Sequence, residues 1–262
     1  MSVFKSVALI TGASSGIGLE LAKIHAEKGG DLVLVARNFS KLMELKLELE
    51  QKYKVNIHLI GKDLSLPGAV AEVYEELKKL NIPVNYLINN AGFGDFGFFV
   101  DSQWQKQEQM IQLNIVALTH FTMLFAQEMV KNGKGKIMNV ASTAAFQSGP
   151  TMAVYFATKA FVLSFSEAIQ NELIEKGITV TTLCPGPTIS GFQQAASMQN
   201  SRLFKSNNLP DAREIAEFGY KAMIKGDNIA VHGFMNNLLV KSVGFLPRNM
   251  VTKITRMILK KQ

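Results

Sequence analysis

Tyr155 and Lys159 are the residues with the clearest capacity for chemistry, and they lie four positions apart. If this segment is helical, the two side chains share one face, so that the ammonium group reaches the phenol. A phenol ionises near pH ~10 when unperturbed, and a neighbouring positive charge lowers its pKa. We therefore predict that Tyr155 donates and accepts a proton near neutral pH. Tyr-x-x-x-Lys also arises by chance on amphipathic helices, so its weight depends on the rest of the chain.

A glycine-rich turn near the N-terminus is the second candidate site. The turn, Thr11-Gly12-Ala13-Ser14-Ser15-Gly16-Ile17-Gly18, follows a short apolar run and precedes a stretch with helical periodicity. A buried strand that leads through glycines into a helix can hold a pyrophosphate, because the backbone approaches the phosphates and the helix N-terminus offers free N–H groups. The alternative is a tight turn that needs glycine only for its conformation. The spacing also differs from the usual G-x-G-x-x-G.

Further landmarks follow in order along the chain: Asp63-Leu64, Asn89-Asn90-Ala91-Gly92, Asn114, Ser142 and Pro185-Gly186-Pro187-Thr188. Together with the glycine turn and Tyr155-x-x-x-Lys159, they resemble the short-chain dehydrogenase/reductase family, in particular its NADP(H)-preferring bacterial-type members. The resemblance extends over roughly residues 5–190, and several motifs at mutually correct spacing are far more specific than any one of them. Ala141 departs from the family, in which many members carry a second serine there.

The resemblance implies a fold, an activity and a set of catalytic residues. The activity would be hydride transfer between a nicotinamide coenzyme and a carbonyl or alcohol, with Tyr155 passing the proton. Ser142 would hydrogen-bond the substrate oxygen, and Lys159 would lower the Tyr155 pKa and bind the nicotinamide ribose. Asn114 would hold a water that connects Lys159 to solvent. Taken alone, a single asparagine within a helix is more often an ordinary polar residue.

The predicted coenzyme site combines the glycine turn with the landmarks at the ends of later strands. Asp63 would hold the adenine, and the segment from Pro185 to Thr188 would surround the nicotinamide, both as the resemblance implies. The complete predicted set is Gly12, Ser14, Ser15, Gly16, Ile17, Gly18, Arg37, Asn38, Asp63, Leu64, Asn90, Ala91, Gly92, Tyr155, Lys159, Pro185, Gly186 and Thr188. No metal site is predicted.

The end of the second predicted strand indicates which coenzyme is preferred. An NAD site usually carries Asp or Glu here to bind the ribose 2′-hydroxyl, whereas this chain has Arg37-Asn38, and Asp31 lies at the opposite end of the strand. A guanidinium group is suited to a 2′-phosphate, and Ser14 could add a hydroxyl donor. The alternative is that Arg37 is simply solvated. We predict NADP(H).

Strand-like and helix-like segments alternate, which predicts an α/β fold with a parallel sheet covered on both faces. The predicted strands are residues 7–11, 31–36, 56–62, 86–90, 136–141, 179–184 and 229–232, and the predicted helices are 16–28, 40–54, 68–80, 102–132, 152–176 and 211–225. The resemblance implies that residues 1–262 form one Rossmann-type domain, a doubly wound sheet of about seven strands. It also implies that the polar, irregular segment 189–209 covers the substrate as a lid, although an ordinary loop would look the same.

Apolar side chains that follow the motifs predict the substrate pocket. The candidates are Phe93, Phe146, Gln147, Met152 and Phe192, with further phenylalanines at positions 96, 98 and 99. Because polar anchors are few, we predict a hydrophobic ketone, aldehyde or secondary alcohol rather than a sugar or charged acid. Some of these phenylalanines must belong to the core.

The charge of the chain is concentrated at its C-terminal end. The formal net charge is +7, and beyond Asp227 there are six Lys or Arg residues and no acidic residue. Residues 247–262 predict a basic amphipathic helix with apolar residues at positions 250, 251, 254, 257 and 258. Such a helix can lie on an anionic membrane, but we expect it to pack on its own domain or on a second subunit. A homodimer or homotetramer is expected, and no motif indicates nucleic-acid binding.

Two further expectations concern compartment and class. The single cysteine, Cys184, excludes an internal disulfide and is expected to be inert in a strand. The first strand is expected near Ser6, no room for a signal peptide is seen before it, and no apolar run approaches the length of a membrane span, so the cytoplasm is the expected compartment. The alternative to an NADP(H)-dependent oxidoreductase is a coenzyme-binding sensor on the same fold. The sensor would have no physical need for the complete catalytic set.

Overall fold

A computed structural model describes residues 5–189, 191 and 209–259 of the chain. Its centre is one seven-stranded sheet in which all neighbouring strands are parallel, in the order β3-β2-β1-β4-β5-β6-β7. The strands are β1 Ala8–Thr11, β2 Leu32–Ala36, β3 Ile57–Gly61, β4 Tyr86–Asn89, β5 Gly135–Val140, β6 Ile178–Cys184 and β7 Ile229–Val231. All seven predicted strands are present, with ends displaced by no more than one residue.

Helices cover both faces of this sheet, as predicted. They are α1 Gly16–Glu27, α2 Phe39–Tyr53, α3 Ala69–Lys79, α4 Trp104–Ile111, α5 Leu118–Lys131, α6 Ala153–Leu173, α7 Ala212–Lys225, α8 Phe234–Ser242 and α9 Arg248–Leu259. Buried residues of α1, α2 and α7 form one apolar cluster with the sheet, and those of α3 and α5 form another. The fold is therefore a single Rossmann-type domain.

The apolar strands explain this layering. Every residue of β1 and β2 is buried, and successive side chains point to opposite faces. Ile10 and Leu34 belong to the α1–α2–α7 cluster, whereas Leu9 and Val33 belong to the α3–α5 cluster. A strand that is apolar at every position can be accommodated only where both faces are covered.

The strand order determines where a ligand would bind. The chain leaves β1 towards β2 and β3 on one side, and then returns to place β4 on the other side of β1. Loops at the carboxyl ends of β1 and β4 thus run in opposite directions and leave a crevice between them, which is the usual ligand position in open α/β sheets. The glycine turn follows β1, and Asn90 to Gly92 follow β4, so both candidate motifs open onto this crevice.

Three elements differ from the sequence prediction. The predicted helix 102–132 is interrupted by a π-helical segment, Gln112–Ala117, between α4 and α5. Helix α8 was not predicted at all. The predicted lid lies almost entirely outside the described residues, and of its ends Ile189 forms an isolated parallel bridge with Asp211.

The sequence predicted no membrane span, but one helical stretch is long and apolar enough to cross a bilayer. The stretch Trp104–Lys131, which consists of α4, the π-helical segment and α5, is 28 residues long and, by length and composition only, apolar enough to cross a bilayer; it is the one such helix among the described residues. Phe121, Phe125 and Met129 of this helix are buried in the cluster beside the sheet. Such packing is typical of a core helix, and core helices can be as long and as apolar as a membrane span.

Candidate active site

The glycine turn makes a cradle in which side chains would not fit. Gly12 and Gly16 have φ angles of +68° and +56°, which strongly favour glycine. A Cβ atom on Gly18 would lie 2.4 Å from Asn90 Nδ2 and 2.6 Å from the carbonyl oxygen of Gly12. Gly18 therefore allows α1 to approach the end of β4, and it does not line the cleft itself, unlike the other predicted glycines of the turn.

Thr11 and Asn90 fasten the two sides of the switch point together. The Asn90 side-chain amide donates to the carbonyl oxygens of Thr11 and Gly12, at 3.0 and 3.3 Å. In return, the backbone N–H groups of Asn90 and Ala91 donate to Thr11 Oγ1, both at 3.0 Å. These hydrogen bonds tie the end of β4 to the end of β1, and Thr11 is a residue of the site that the sequence did not indicate.

The N-terminus of α1 meets the requirements of a phosphate site. Ser15 precedes the helix in an extended conformation and makes no side-chain capping hydrogen bond. The N–H groups of the first helical turn consequently remain available, and the helix dipole favours an anion there. Ser14, Ser15, Gly16 and Ile17 all line the cleft at this point.

Two basic residues border the opposite end of the cleft, beyond β2 and β3. The Arg37 side chain is 78% exposed, and its Nη1 atom lies 3.9 Å from Asp63 Oδ2, which is too loose an ion pair to hold the guanidinium in place. Lys62, which the sequence reading missed, lines the cleft beside Arg37. Asn38 also lines the cleft, but its side-chain oxygen accepts from Lys41 N at 3.0 Å and caps α2.

Asp63 remains ionised at this position. Burial alone would raise the pKa of its carboxyl group, but two hydrogen bonds from Ser65 and the charge of Arg37 outweigh that effect and lower the pKa below its ordinary value. The Ser65 backbone N–H and hydroxyl donate to Asp63 Oδ1 at 3.0 and 2.7 Å. An oriented carboxylate can accept hydrogen bonds from an adenine amino group, consistent with the predicted adenine contact.

Ser142, Tyr155 and Lys159 meet in the middle of the same cleft. Tyr155 and Lys159 lie one turn apart on α6, with the ammonium nitrogen 5.9 Å from the centre of the Tyr155 ring. The hydroxyl groups of Ser142 and Tyr155 are hydrogen-bonded to each other. Lys159 Nζ donates to the carbonyl oxygen of Val140 at 2.8 Å. The β5 strand end and α6 thus hold the three groups within one small space.

The pKa values of this pair differ from the sequence prediction. Burial raises the pKa of Tyr155 to about 12, and the hydrogen bond from Ser142 only partly opposes that rise. Burial also lowers the pKa of Lys159 to about 8, so near neutral pH its positive charge is only weakly held. Without coenzyme, the Tyr155 pKa therefore moves in the direction opposite to the prediction, because burial disfavours the ionised phenol.

Asn114 lies in the π-helical segment and is buried. Its Nδ2 atom donates to the Phe93 carbonyl oxygen at 3.0 Å and to Thr158 Oγ1 at 3.1 Å, and Phe93 N donates to its Oδ1 at 3.2 Å. Both amide N–H donors are therefore occupied, and the side chain anchors the segment after β4 to α6. A single π turn within an α-helix is frequent at functional sites.

The predicted substrate residues are divided by the structure. Phe93, Gln147 and Met152 line the cleft near Tyr155. Phe146 is not among the residues that line the cleft: its partly buried side chain packs against the cluster that contains Ala145 and Val162. Phe192 lies outside the described residues.

The C-terminal helices complete the cleft, which the sequence reading did not anticipate. Asn236 of α8 approaches Gly186 so closely that a Cβ atom on the glycine would lie 2.5 Å from Asn236 Nδ2. Leu259 of α9 is buried in one cluster with Tyr155 and Met152. The apolar stripe of 247–262 was the available signal for such a wall, and the cleft residues contributed by the two helices and the turn between them are Asn236, Leu239, Val240, Ser242, Val243, Leu246, Val251, Ile254, Thr255, Ile258 and Leu259.

The whole cleft encloses a cavity of about 760 Å³, within the range of small-molecule sites. Every predicted coenzyme residue except Gly18 lines it, as do Ser142 and the segment Pro185 to Thr188. Cys184, below that segment, is buried, and burial raises the pKa of its thiol to about 12, in line with the expected inert cysteine. The glycine turn, the N-terminus of α1 and the basic end of the cleft at Arg37 and Lys62 together fit an extended dinucleotide. The molecule therefore belongs to the dinucleotide-binding Rossmann class.

Comparison with known proteins gives the family. A family model described as short chain dehydrogenase matches residues 6–201. A bulky-bulky ketone specific alcohol dehydrogenase from Comamonas testosteroni is 32% identical and superimposes with a TM-score of 0.78, covering 93% of this chain and 94% of that one. A short-chain dehydrogenase from Sphingobium yanoikuyae, solved in complex with NADPH, is 30% identical with a TM-score of 0.81, covering 92% of this chain and 95% of the other.

A curated relative agrees with these structures. The 7beta-hydroxysteroid dehydrogenase of Mediterraneibacter gnavus is 30% identical over 186 residues, which are 70% of this chain and 68% of the relative. The chain belongs to the short-chain dehydrogenase family and is an oxidoreductase that uses a nicotinamide dinucleotide.

Proposed function

We propose that this protein interconverts a bulky hydrophobic ketone or aldehyde and the corresponding alcohol, with NADP(H) as coenzyme. The observation that carries the proposal is the hydrogen bond between Tyr155 and Ser142 in the same cleft as the glycine cradle. It presents two adjacent hydroxyl groups where a carbonyl oxygen would need a proton and a hydrogen-bond donor.

Tyr155, Ser142 and Lys159 have distinct roles in this proposal. A bound nicotinamide supplies or accepts the hydride. Tyr155 donates its phenolic proton to the substrate oxygen in the reducing direction, and Ser142 donates a hydrogen bond to the same oxygen as negative charge develops. Lys159, already fixed on the Val140 carbonyl oxygen, is placed to bind a ribose hydroxyl and to return a proton to Tyr155. Its pKa of about 8 suits a group that exchanges protons near neutral pH.

Asn114 acts in this proposal through its backbone. Because its amide donors are bound to Phe93 and Thr158, the side chain has no donor left for a water. In this proposal the backbone carbonyl oxygen of Asn114, in the π-helical segment, takes the place of the side chain and holds the water between Lys159 and solvent. The side chain meanwhile keeps the segment after β4 in place.

The preference for NADP(H) is supported by charge at the end of β2. Arg37 and Lys62 both border the cleft where an adenosine 2′-phosphate would lie, and Arg37 is exposed enough to turn towards it. Two acids, Asp63 and Glu72, lie near these bases. Asp63 is oriented by hydrogen bonds from Ser65, and Glu72 is paired with Lys62. Arg37 is therefore the base more available to a phosphate. The NADPH complex of the Sphingobium yanoikuyae relative also favours this coenzyme.

The substrate class is supported by the walls of the cleft around Tyr155. They consist mainly of apolar side chains: Phe93, Met152, Val251, Ile254, Ile258 and Leu259. The relatives named for bulky ketones and for a hydroxysteroid act, by those names, on large apolar molecules. A large apolar ketone or secondary alcohol is the class that such walls would bind.

We further propose a homo-oligomer that works in the cytoplasm. Val116, Met123 and Phe161 are exposed on the helices that run from Trp104 to Lys131 and along α6, and a second subunit would cover them. Nothing observed in the described residues favours the alternative of a sensor without turnover.

The test is a coupled comparison of coenzymes and substrates. The wild type should oxidise NADPH in the presence of bulky apolar ketones, and NADH should bind at least about tenfold more weakly in a calorimetric titration, a difference of ~1.4 kcal/mol. Arg37→Asp should reverse the preference, because it removes the phosphate partner and adds an acceptor for a 2′-hydroxyl. The matched control is Arg213→Asp, on the surface ion pair with Glu27 far from the cleft residues, which should leave the preference unchanged. Equal affinity for both coenzymes would refute the assignment to NADP(H), and no turnover of any ketone would refute the substrate class.

A further inference from the structure

The chain beyond β7 exposes large apolar side chains that its own fold does not cover. None of the nine residues of α8 is buried. Phe234 is 82% exposed and Phe245, in the turn after α8, is 90% exposed. We call the exposed set the apolar rim, and it comprises Phe234, Met235, Leu238, Leu239, Phe245, Leu246, Met250, Met257 and Ile258. Exposed apolar patches of this kind mark surfaces that contact another molecule.

Positive charge accompanies the apolar rim. Lys241, Arg248, Lys253 and Arg256 are exposed among these residues, and the printed sequence has no Asp or Glu after Asp227. Six of the 28 Lys and Arg residues fall in this acid-free stretch, which nearly equals the net charge of +7 for the whole chain. The surface is thus basic and apolar together.

Helix α9 presents opposite faces to the cleft and to the surroundings. Val251, Thr255 and Leu259 are buried, and Leu259 packs in the cluster that contains Tyr155. On the outer side, Met257 is exposed, and the Arg256 guanidinium lies 5.9 Å from the centre of the exposed Phe98 ring. The expected packing on the domain is thus seen for the inner face of the helix, and its outer apolar members are left for a second subunit or another surface to cover.

The apolar rim borders the cleft. Three of its members, Leu239, Leu246 and Ile258, also line the cavity, so the rim continues the inner walls outward. Phe98 adds a further exposed apolar side chain beside Arg256 of α9. Whatever covers the rim also faces the route by which a substrate reaches Tyr155.

We infer that this rim docks on an anionic lipid surface. A second copy of the chain, pairing through the same face, would bring two acid-free basic surfaces together, which is unfavourable. A bilayer with anionic headgroups satisfies both properties at once, because bases meet phosphates while phenylalanine, leucine and methionine side chains enter the acyl boundary. Side chains as exposed as Phe234 and Phe245 are suited to such insertion, since they stand clear of their own domain.

The docking does not rest on the proposed activity, because it can be measured without coenzyme or substrate. If both hold, the entrance of the cleft faces the membrane, and an apolar substrate passes from lipid to Tyr155 without crossing water. Failure of docking with intact turnover, and intact docking without turnover, are separate results.

The first experiment is co-sedimentation of the full chain with lipid vesicles. The wild type should bind vesicles that contain phosphatidylglycerol and not vesicles of phosphatidylcholine alone, and added salt should release it. Phe234→Ser combined with Phe245→Ser should lower the bound fraction by about tenfold, since both side chains lose their contact with acyl chains. Leu47→Ser combined with Leu80→Ser removes two exposed apolar side chains elsewhere and should have no effect.

A charge-matched pair tests the basic part of the surface. Lys241→Glu combined with Arg248→Glu should abolish binding to the anionic vesicles, whereas Lys79→Glu combined with Lys176→Glu changes the net charge equally at other exposed positions and should retain most of it. Equal loss in both double variants would mean that the net charge acts from a distance, and would overturn docking through this face.

A reporter locates the contact. The chain has one tryptophan, Trp104, so Trp104→Phe combined with Phe245→Trp places a single fluorophore on the rim. Its emission should shift to the blue on anionic vesicles and be quenched by lipids brominated in their acyl chains. The proposal is overturned if the reporter does not respond, if the wild type ignores anionic vesicles, if an acidic polypeptide such as polyglutamate binds more tightly than the vesicles, or if Phe245→Ser dissociates a dimer.

Discussion

The coenzyme cradle and the C-terminal helices border the same cleft but are built in opposite ways. Around Gly12 and Gly18 the backbone is so crowded that an added Cβ atom would collide with Asn90. Around Gly244, between α8 and α9, nothing lies within 4 Å of such an atom. One side of the cleft is a packed part of the sheet. The other side consists of α8, α9 and the turn between them, residues 234–259, which we call the cover; within it, α9 has one buried face.

This difference separates chemistry from access. The cradle and the Tyr155 centre hold polar groups at fixed distances, which needs packing and satisfied hydrogen bonds on all sides. The cover supplies apolar walls and an exposed rim, and its helices are held by few buried residues, so it is drawn from the less stable part of the molecule. Mutations should therefore act strongly on one side and weakly on the other.

The largest expected effect is on turnover. Tyr155→Phe removes the transferable proton but keeps the ring, so kcat should fall on the order of 10³-fold, equivalent to about 4 kcal/mol, while coenzyme affinity changes little. On the cover, Phe245→Ser should leave turnover of a water-soluble ketone unchanged. Steady-state kinetics on both variants measure the contrast, and a Tyr155→Phe variant that turns over like the wild type would remove the chemical distinction between the two sides.

The next largest effect is on packing. Gly18→Ala should cost about 3 kcal/mol of stability, because its methyl group meets the backbone carbonyl of Gly12 and the Asn90 amide at distances that cannot relax cheaply. Gly244→Ala should be neutral or slightly stabilising, since its φ angle is not positive and the space around it is open. Urea unfolding of both variants checks this pair. Equal losses would show that the cover is as tightly packed as the cradle.

The same contrast explains what the sequence predicted. The strands, the glycine turn and the cleft position follow from local requirements: apolar residues buried on both faces, glycine at positive φ, and ends of parallel strands at one edge. These requirements are written in the residues themselves. The sequence alone accordingly predicts that Arg37 and Tyr155 border one cleft.

Other features depend on contacts between distant segments. The placement of Phe146 away from the cleft, the closure of the cleft by Asn236 and Leu259, and the buried amide network of Asn114 arise from tertiary packing that no local pattern specifies. The direction of the Tyr155 pKa shift was mispredicted for the same reason. The sequence shows that Lys159 lies one helical turn away, but it does not show that both groups are buried.

A smaller effect is expected on folding stability, because the buried charge of Lys159 destabilises the folded state. Its pKa is lowered from 10.5 to about 8 by burial. Below pH ~8 Lys159 is charged in both the folded and the unfolded state, so the folded state is destabilised by the full cost of burying the charge. Between pH ~8 and ~10.5 Lys159 is protonated mainly in the unfolded state, and the stability of the fold rises with pH. Lys159→Met should therefore stabilise the protein without coenzyme by about 2 kcal/mol at pH 7, after the lost hydrogen bond to Val140 is allowed for.

The pH dependence distinguishes this cost from a simple packing change. The advantage of Lys159→Met over the wild type should shrink as pH rises from 8 towards 10 in thermal unfolding, because the wild-type fold loses its buried charge. Tyr155 is present in both proteins, so its own titration cancels in the difference. An advantage that stays constant with pH would mean that the ammonium group is not desolvated as the structure indicates.

The smallest effect sharpens the description of the cover. Leu259→Ala removes a side chain that packs with Tyr155 and Met152, but α9 can open locally, so global stability should fall by only about 1 kcal/mol, less than for a leucine in the sheet. The same change should raise KM for a bulky ketone more than it changes kcat, since the lost contact is to the substrate wall rather than to the reacting atoms. Met257→Ala, on the exposed face of the same helix, is the matched control and should alter neither quantity with a soluble substrate. If Leu259→Ala instead destabilises the domain as much as Gly18→Ala, then α9 is part of the core, and the cover and the cradle form one cooperative unit.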